Sequence, residues 1–198
     1  MKLVCAALAL MLACGTSQNV SPTKESTMDE RPGAVMFGGE PATLLGRELK
    51  VGDVAPDFTA VGNDMKPVRL SQFKGKVVVI AAVPSLDTPT CDLETRRFNA
   101  EATKLGPDVV ILTVSMDLPF AQKRWCGAAG VDKVITVSDY RDASFGTTYG
   151  VLIKDVRLLA RVVFVIDRQG TVRYTQLVKD TGAQPDYAPV LDAVNGLQ

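Results

Sequence analysis

The chain has 198 residues, 46% of them hydrophobic, and its 22 basic and 22 acidic side chains balance to a formal net charge of zero. This length and composition fit one globular domain, and no basic cluster suggests a nucleic-acid partner. Histidine is absent, which excludes imidazole metal ligands, cysteine–histidine nucleophiles and serine–histidine–aspartate triads. We therefore expect neither a metal nor an organic cofactor, and any catalytic cysteine must be activated without histidine.

The first residues have the layout of a bacterial secretory signal. A lysine precedes an apolar run over residues 3–13, which is too short to cross a bilayer, and Cys14 follows directly. The end of the run, LMLAC, resembles a lipobox, in which the cysteine becomes the lipidated first residue of the mature protein. We predict a lipoprotein-type signal peptide over residues 1–13 and a periplasmic protein anchored to a membrane through lipid. The alternative is a cytoplasmic protein whose translation starts at Met28 or Met36.

Residues 14–40 are rich in serine, threonine, proline and glycine and have almost no hydrophobic periodicity. This composition predicts a flexible tether. A coil of this length reaches about 25 to 30 Å, enough to hold a domain just off a membrane surface. The globular domain is then predicted to occupy residues 41–198.

The globular part alternates predicted strands with predicted helices. Its first half predicts a hairpin around Gly46 in TLLGRELKVG, short strands in DFTAVG and KPVRLSQF, a strand buried on both faces in KVVVIAAVP, and a helix from Pro89 to Leu105. Its second half predicts strands in DVVILTVS and KVITVSD, short helices in PFAQKRWCGAAG and DASFGTTYG, a hairpin of ARVVFVID and TVRYTQLV, and a closing helix in DYAPVLDAVNGL. This order predicts an α/β layered sheet of mixed strand direction, for which a thioredoxin-like fold with an N-terminal β-hairpin is the natural candidate.

The segment PSLDTPTC joins the strand buried on both faces to the first long helix. Thr88 suits the N-cap and Pro89 the first helical position, so Cys91 falls in the first turn. Unpaired backbone N–H groups and the positive end of the helix dipole favour a thiolate there. Asp92 and Glu94 would oppose that anion, so we expect a cation from elsewhere in the fold. The alternative is that Cys91 is a small apolar residue of the core.

Two segments resemble a known family. PSLDTPTC fits the Pro-x-x-x-Thr-x-x-Cys pattern of peroxiredoxins, and MDLPFAQKRWCGAAGV resembles the segment around the second cysteine of the bacterial thiol peroxidase subfamily. The resemblance continues through VITVSDYRDASFGTTYGVLI, LARVVFVIDRQGTVRYTQLV and QPDYAPVLDAV, and covers about residues 35–198. Members of this subfamily are atypical two-cysteine peroxiredoxins with a thioredoxin-like fold, in which one chain carries both cysteines.

The resemblance implies a role for five residues. Cys91 resembles the peroxidatic cysteine, Thr88 the hydroxyl that orients peroxide and thiolate, and Pro84 the residue that shields the sulfur. Cys126 resembles the resolving cysteine, and Arg141 resembles the arginine that supplies the cation. Taken alone, each also has a structural interpretation: Cys126 as core packing, Arg141 as a surface arginine and Thr88 as a helix cap.

The function implied is that of a thiol-specific peroxidase, which reduces hydrogen peroxide and organic hydroperoxides to water and alcohols. A Cys91 sulfenic acid would form and condense into a Cys91–Cys126 disulfide, which thioredoxin, or a periplasmic thioredoxin-like protein, would reduce. The expected partners are thus a peroxide, this reductant, a membrane if the chain is lipid-anchored, and a second copy if it is a homodimer.

Two other functions are compatible with a thioredoxin-like fold. A disulfide reductase needs Cys-x-x-Cys at the start of the helix, but Leu93 and Glu94 follow Cys91 here. A lipid-anchored binding module without catalysis, or a peroxide sensor, remains the alternative, and peroxide consumption with a thiol reductant separates it from the enzyme.

Overall fold

Ten strands and four α-helices follow one another along residues 28–198, the part of the chain described by the computed structural model. The strands are β1 Glu30–Phe37, β2 Glu40–Leu45, β3 Thr59–Gly62, β4 Pro67–Arg69, β5 Val77–Ala82, β6 Val109–Ser115, β7 Ile135–Ser138, β8 Leu152–Ile153, β9 Val162–Ile166 and β10 Val172–Leu177. The helices are α1 Pro89–Ala102, α2 Pro119–Ala129, α3 Ser144–Thr148 and α4 Tyr187–Asn195, and a 3-10 turn covers Leu70–Phe73.

The main sheet has seven strands in the order β10-β9-β5-β6-β7-β3-β4. Strands β5, β6 and β7 run parallel, whereas β9 pairs antiparallel with β5 and β3 pairs antiparallel with β7. The late hairpin of β9 and β10 is also antiparallel. This arrangement confirms the predicted α/β sheet of mixed strand direction.

Strand β5 lies at the centre of two cores, one on each face of the sheet. Because side chains of a strand alternate between the faces, one set packs with α1, α2 and α4, namely Val77, Val79 and Ala81. The other set packs toward α3 and the N-terminal strands, namely Val78, Ile80 and Ala82. All six are buried, as the unbroken apolar run predicts, and each valine so buried contributes about 1.5 to 3 kcal/mol to stability. The carboxyl end of β5 is thereby held firmly where it leads to Cys91.

The N-terminal hairpin turns at a different place from the one that we predict. Its two strands, β1 and β2, are joined by Gly38 and Gly39, whose φ angles of 59° and 87° suit a two-residue hairpin turn. Gly46 instead ends β2 with a φ of 95°, where a Cβ atom would lie 2.1 Å from the carbonyl oxygen of Thr147. The prediction of a turn at Gly46 is therefore wrong, because this glycine serves a close backbone approach and not a hairpin.

The prediction of a tether up to residue 40 is also wrong at its end, since β1 begins at Glu30. Proline and glycine at positions 32 and 33 make this stretch read as coil, but they lie at a register shift between Arg31 and Val35, where an edge strand tolerates both. Gly33 has a φ of 63° there. The signal peptide over residues 1–13, Cys14 and the first half of the tether lie outside the described residues.

Candidate active site

Cys91 lies in the first turn of α1, directly beyond the carboxyl end of β5. Thr88 is the N-cap residue and Pro89 the first helical residue, as predicted. The Cys91 side chain is completely buried in a small apolar cluster with Val83, Leu86 and Trp125. Its sulfur therefore lies inside the fold, at the end of a helix where the backbone favours negative charge.

The cation beside the Cys91 sulfur is Arg161. Its Nη2 atom donates to Cys91 Sγ at 3.3 Å, and Nε and Nη2 also donate to the carbonyl oxygen of Thr181 at 3.1 and 3.0 Å. Its Nη1 atom forms an ion pair with Glu94 Oε2. Arg161 is 1% exposed, so its guanidinium is fixed by these contacts within the buried site.

Arg141 does not supply this cation, and the sequence-based prediction for it is wrong. Its side chain is exposed and lies over the ring of Tyr140, with Nη2 3.5 Å from the Tyr140 hydroxyl. A surface arginine stacked on a neighbouring ring cannot also reach a thiol that is wholly inside the fold. The signal for Arg161 is present in the sequence as a single charge in the apolar run LLARVVFVI, where a buried arginine needs a partner.

Thr88 and Pro84 line the same pocket as Arg161. This pocket has a volume of about 260 Å³, and its wall is formed by Phe37, Gly38, Gly39, Pro84, Thr88, Thr90, Arg161, Asp180, Thr181 and Gly182. Pro84 is buried and Thr88 exposed. The Thr88 hydroxyl donates to the carbonyl oxygen of Ser85 at 3.0 Å and does not cap the helix. Its oxygen lone pairs and position at the pocket leave it available to a small polar molecule.

Residues 180–184, between β10 and α4, hold the first turn of α1 in place. The Thr90 hydroxyl donates to the carbonyl oxygen of Gly182 at 3.1 Å, and Gln184 Nε2 donates to the carbonyl oxygen of Thr90 at 2.7 Å. The N–H and hydroxyl of Thr181 both donate to the carbonyl oxygen of Met36, each at 3.0 Å. The N-terminal hairpin, the 180–184 segment and the cysteine turn thus form one connected wall.

Cys126 lies on α2, in a different environment from Cys91. It is half-buried, and its Sγ atom is 3.3 Å from the Thr136 hydroxyl oxygen. Both cysteines are free thiols. The neighbouring residue, Trp125, connects the two sites, because its ring packs in the Cys91 cluster and its Nε1 atom donates to Asp92 Oδ1 at 3.1 Å. The fold therefore places both cysteines on adjacent helices, which are joined by Trp125 and by Arg96 Nη1, which donates to the carbonyl oxygen of Ala129 at 2.7 Å.

Electrostatics in the buried site are dominated by Glu94 and Arg161. Burial raises the pKa of Glu94 to about 7, although the charge and hydrogen bonds of Arg161 act in the opposite direction. Burial also disfavours the charged form of Arg161, but the charges of Glu94 and Cys91 outweigh it and raise the pKa of Arg161 overall. The sequence predicts Glu94 only as a residue that would oppose a thiolate, because its partner Arg161 lies 67 positions further along the chain.

Comparisons with known proteins identify the family of this chain. The Redoxin family model matches residues 50–191. A thiol peroxidase from Oceanobacillus iheyensis is 55% identical over 161 residues, 81% of this chain and 98% of that protein. A thiol peroxidase from Bacillus subtilis is 53% identical over 163 residues, 82% of this chain and 97% of that protein.

Solved structures support the same fold. The crystal structure of a peroxiredoxin-like protein from Aquifex aeolicus is similar to this chain with a TM-score of 0.79 and 42% sequence identity, covering 86% of this chain and 99% of that one. Within residues 28–198, no helix is both long enough and apolar enough to cross a membrane.

Proposed function

The chain belongs to the Redoxin family and is a peroxide-reducing thiol peroxidase of the bacterial peroxiredoxin type, and from this we propose that Cys91 is the cysteine that attacks the peroxide. The observation that carries the proposal is the contact of 3.3 Å between Arg161 Nη2 and Cys91 Sγ inside a fully buried site. A fixed guanidinium and a helix start both favour a thiolate over a thiol. The thiolate is the nucleophilic form of cysteine.

In the first step, the Cys91 thiolate attacks one oxygen of the peroxide. A sulfur–oxygen bond forms, the oxygen–oxygen bond breaks, and the departing oxygen takes a proton to become water or an alcohol. Negative charge builds on that oxygen, and we assign its stabilisation to Arg161 in the pocket wall, whereas the Thr88 hydroxyl, whose proton is donated to the carbonyl oxygen of Ser85, orients the peroxide by accepting a hydrogen bond from it. We assign Pro84, buried in the wall of the same pocket, to shielding the sulfur from water.

In the second step, Cys126 resolves the Cys91 sulfenic acid. Its thiolate attacks the sulfenic sulfur, a disulfide forms, and hydroxide leaves and is protonated to water. This condensation protects Cys91 from further oxidation to the irreversible sulfinic state. The packing of Trp125 against the Cys91 cluster supports this pairing, because it brings α2 against the turn that carries Cys91.

Thioredoxin, or a thioredoxin-like protein, is the proposed reductant of the disulfide. The half-exposed position of Cys126 makes it the more accessible of the two sulfurs for attack by an external thiol.

If the leader is used, Cys14 is the proposed lipidation site and the reductant must be periplasmic. The mature N-terminus, measured by mass spectrometry, decides between this form and a cytoplasmic one that starts at Met28 or Met36. A homodimer is the proposed assembly, which sedimentation of the reduced protein tests.

Peroxide turnover by a Cys91→Ser variant tests the catalytic proposal. A serine hydroxyl is far less ionised than a thiol, so we expect consumption of hydrogen peroxide with a thioredoxin system to fall to background. Mass spectrometry of the oxidised wild type should also identify a peptide that joins Cys91 to Cys126. Retention of a tenth of the wild-type rate, a barrier change of only about 1.4 kcal/mol, would show that the attacking thiol lies elsewhere.

A further inference from the structure

Three ionisable side chains share one buried place in this site. Cys91, Arg161 and Glu94 are each no more than 1% exposed. Arg161 lies between the other two, with Nη2 donating to Cys91 Sγ and Nη1 donating to Glu94 Oε2. One permanent cation therefore faces two acids, each of which can be an anion.

If both acids were ionised, the cluster would carry a net negative charge away from water, which is costly. When two acids compete for one cation, the ionisation of one raises the proton affinity of the other. A thiolate at Cys91 therefore favours the protonated form of Glu94.

The hydrogen bonding of Glu94 identifies it as the acid that holds the proton. Its Oε1 atom is buried without a hydrogen-bond partner among residues 28–198. An unpartnered oxygen costs much less free energy on a neutral carboxyl group than on a carboxylate. Burial also raises the pKa of Glu94 to about 7.

We propose that Glu94 is a positioning residue that holds a proton while Cys91 is a thiolate and gives it up when Cys91 is oxidised. The inference rests on the proposed role of Cys91 as the attacking thiol. Glu94 acts through Arg161: as a neutral carboxyl it still fixes the guanidinium by accepting from Nη1, yet it leaves the positive charge to the thiolate.

The charges and protons of the first step balance under this scheme. Before attack, the cluster consists of a thiolate, a guanidinium and a neutral carboxyl group. Afterwards Cys91 is a neutral sulfenic acid, its sulfur having gained an oxygen and lost two electrons to the peroxide, and Glu94 is a carboxylate paired with Arg161. The proton that Glu94 releases equals the one that the departing oxygen takes up, so the buried cluster is neutral throughout.

The other charged groups near Glu94 do not replace this partner. On its own helix Arg97 is exposed and pairs with Glu101, and on α4 the Tyr187 hydroxyl donates to Gln184 Oε1. The pKa of Tyr187 is raised, chiefly by burial and then by Glu94, so this phenol stays neutral. The titratable groups around Glu94 are thus Cys91, Arg161, Arg97 and Tyr187. Among these four, only Arg161 is a buried cation.

Infrared difference spectroscopy tests the proton on Glu94 directly. The reduced full-length protein, carrying Cys126→Ser so that oxidation stops at the sulfenic acid, is mixed with one equivalent of hydrogen peroxide. We expect a carboxylic-acid C=O band to disappear and a carboxylate band to appear, and neither change in the same protein with Glu94→Gln. If no carboxylic-acid band is lost although mass spectrometry shows oxygen on Cys91, the inference is overturned and the proposed function stays intact. If Cys91 does not react at all, it is the proposed function that fails.

The pH profile of the first step gives a second test. The side-chain amide of the Glu94→Gln variant mimics the neutral carboxyl group, so the ratio of variant to wild-type rate constants at pH 6, where Glu94 of the wild type is protonated, serves as the reference. At higher pH, Glu94 in the wild type ionises and competes for Arg161, and the ratio of variant to wild-type rate constants should rise several-fold by pH 9. A ratio that is low and independent of pH would mean that Glu94 is needed as a charged structural partner, and would contradict the proposal.

Discussion

Arg161 Nη2 and Cys91 Sγ lie 3.3 Å apart although 70 positions separate the two residues in the chain. The contact joins the start of α1 to the residue that precedes β9, two places that the sheet brings side by side because β5 and β9 are neighbours. The cation that the helix start requires is therefore provided by sheet topology and not by a nearby segment.

Replacing Arg161 with lysine should slow the first step about 10- to 100-fold. The guanidinium contacts Cys91, Glu94 and the carbonyl oxygen of Thr181 at once, and an ammonium on a flexible chain cannot hold that forked geometry. Loss of one or two hydrogen bonds to charged groups corresponds to about 1.5 to 3 kcal/mol. The rate constant for peroxide with the reduced protein, measured by stopped flow, checks this prediction.

Arg141→Lys is the matched control for that experiment, because it makes the same chemical change at an exposed arginine whose guanidinium lies over the ring of Tyr140. We expect wild-type kinetics from it. The reverse result, with Arg141→Lys impaired and Arg161→Lys active, would mean that the reacting sulfur is not the one held by Arg161.

Replacing Cys126 with serine should leave the first turnover intact and stop cycling. The Cys91 sulfenic acid then has no partner thiol and is exposed to a second peroxide. Mass spectra after excess peroxide should show a two-oxygen adduct on the peptide that contains Cys91, and steady-state turnover with thioredoxin should fall to a few percent of wild type. An unchanged steady-state rate would assign Cys126 to packing beside Thr136.

Disulfide formation should loosen the two helices that carry the cysteines. A disulfide needs Cα atoms within about 7 Å, whereas Cys91 is enclosed in a helical first turn and Cys126 is packed on the next helix. We expect residues 88–94 and 120–130 to exchange amide hydrogens faster in the oxidised protein while the sheet stays protected. Exchange measured by mass spectrometry on reduced and oxidised samples tests this directly.

Trp125 fluorescence should follow the same transition. Its Nε1 bond to Asp92 and its packing beside Cys91 are lost if either helix unwinds, so one equivalent of peroxide should shift the emission and dithiothreitol should restore it. The Cys126→Ser protein is the control, since it oxidises without forming the disulfide. If the disulfide forms while emission and exchange both stay constant, the thiols already lie in bonding position.

The stability of the protein should fall as pH rises from about 4 to about 6 because of Asp139. This carboxyl is 2% exposed, and although it accepts N–H groups of Phe145 and Gly146, burial raises its pKa from 3.8 to about 6. A raised pKa means that the fold favours the protonated form of Asp139. This preference contributes about 2 to 3 kcal/mol to the free energy of unfolding, which is complete below pH 4 and is lost as the pH passes 6.

Urea unfolding of wild type and Asp139→Asn at pH 4 and pH 7 measures that contribution. The variant should be less stable than wild type at pH 4, because its amide N–H₂ faces one of the two backbone N–H donors. Its free energy of unfolding should nevertheless fall less than that of wild type between pH 4 and pH 7. Parallel losses in the two proteins would mean that Asp139 stays ionised in the fold over this range.

Local signals in the sequence were sufficient for part of the site. Threonine, proline and cysteine in the order Thr88, Pro89, Cys91 encode a helix start within four residues, and the structure begins α1 there. The need for a cation follows from the same stretch, because the charges that follow the cysteine most closely along the chain, Asp92 and Glu94, are both acidic. Which arginine meets that need is decided by strand pairing, and no local pattern distinguishes one candidate arginine from the other except the apolar run around Arg161.

The N-terminal hairpin is a part of the site that the sequence does not predict. Pro32 and Gly33 give β1 the composition of a linker, and its pairing with β2 and the backbone hydrogen bonds of Met36 with Lys179 and Thr181 make it part of the pocket. Long-range hydrogen bonds of this kind leave no periodic trace in the sequence. The α/β sheet, by contrast, is visible as alternating apolar runs and helical segments, because each of its central strands is buried on both faces.

The position of the hairpin also decides which N-terminal fusions and truncations preserve the pocket. Phe37, Gly38 and Gly39 form part of the pocket wall, whereas Glu30 lies at the other end of β1, about 17 Å away, since β1 pairs from end to end with the six residues of β2. A purification tag or reporter fused ahead of Met28 would therefore join the chain at the end of β1 that lies away from this pocket. An expression boundary drawn at residue 50, where the Redoxin match starts, would retain the seven-stranded sheet, Cys91 and Cys126 but remove the part of the pocket wall that Phe37, Gly38 and Gly39 form.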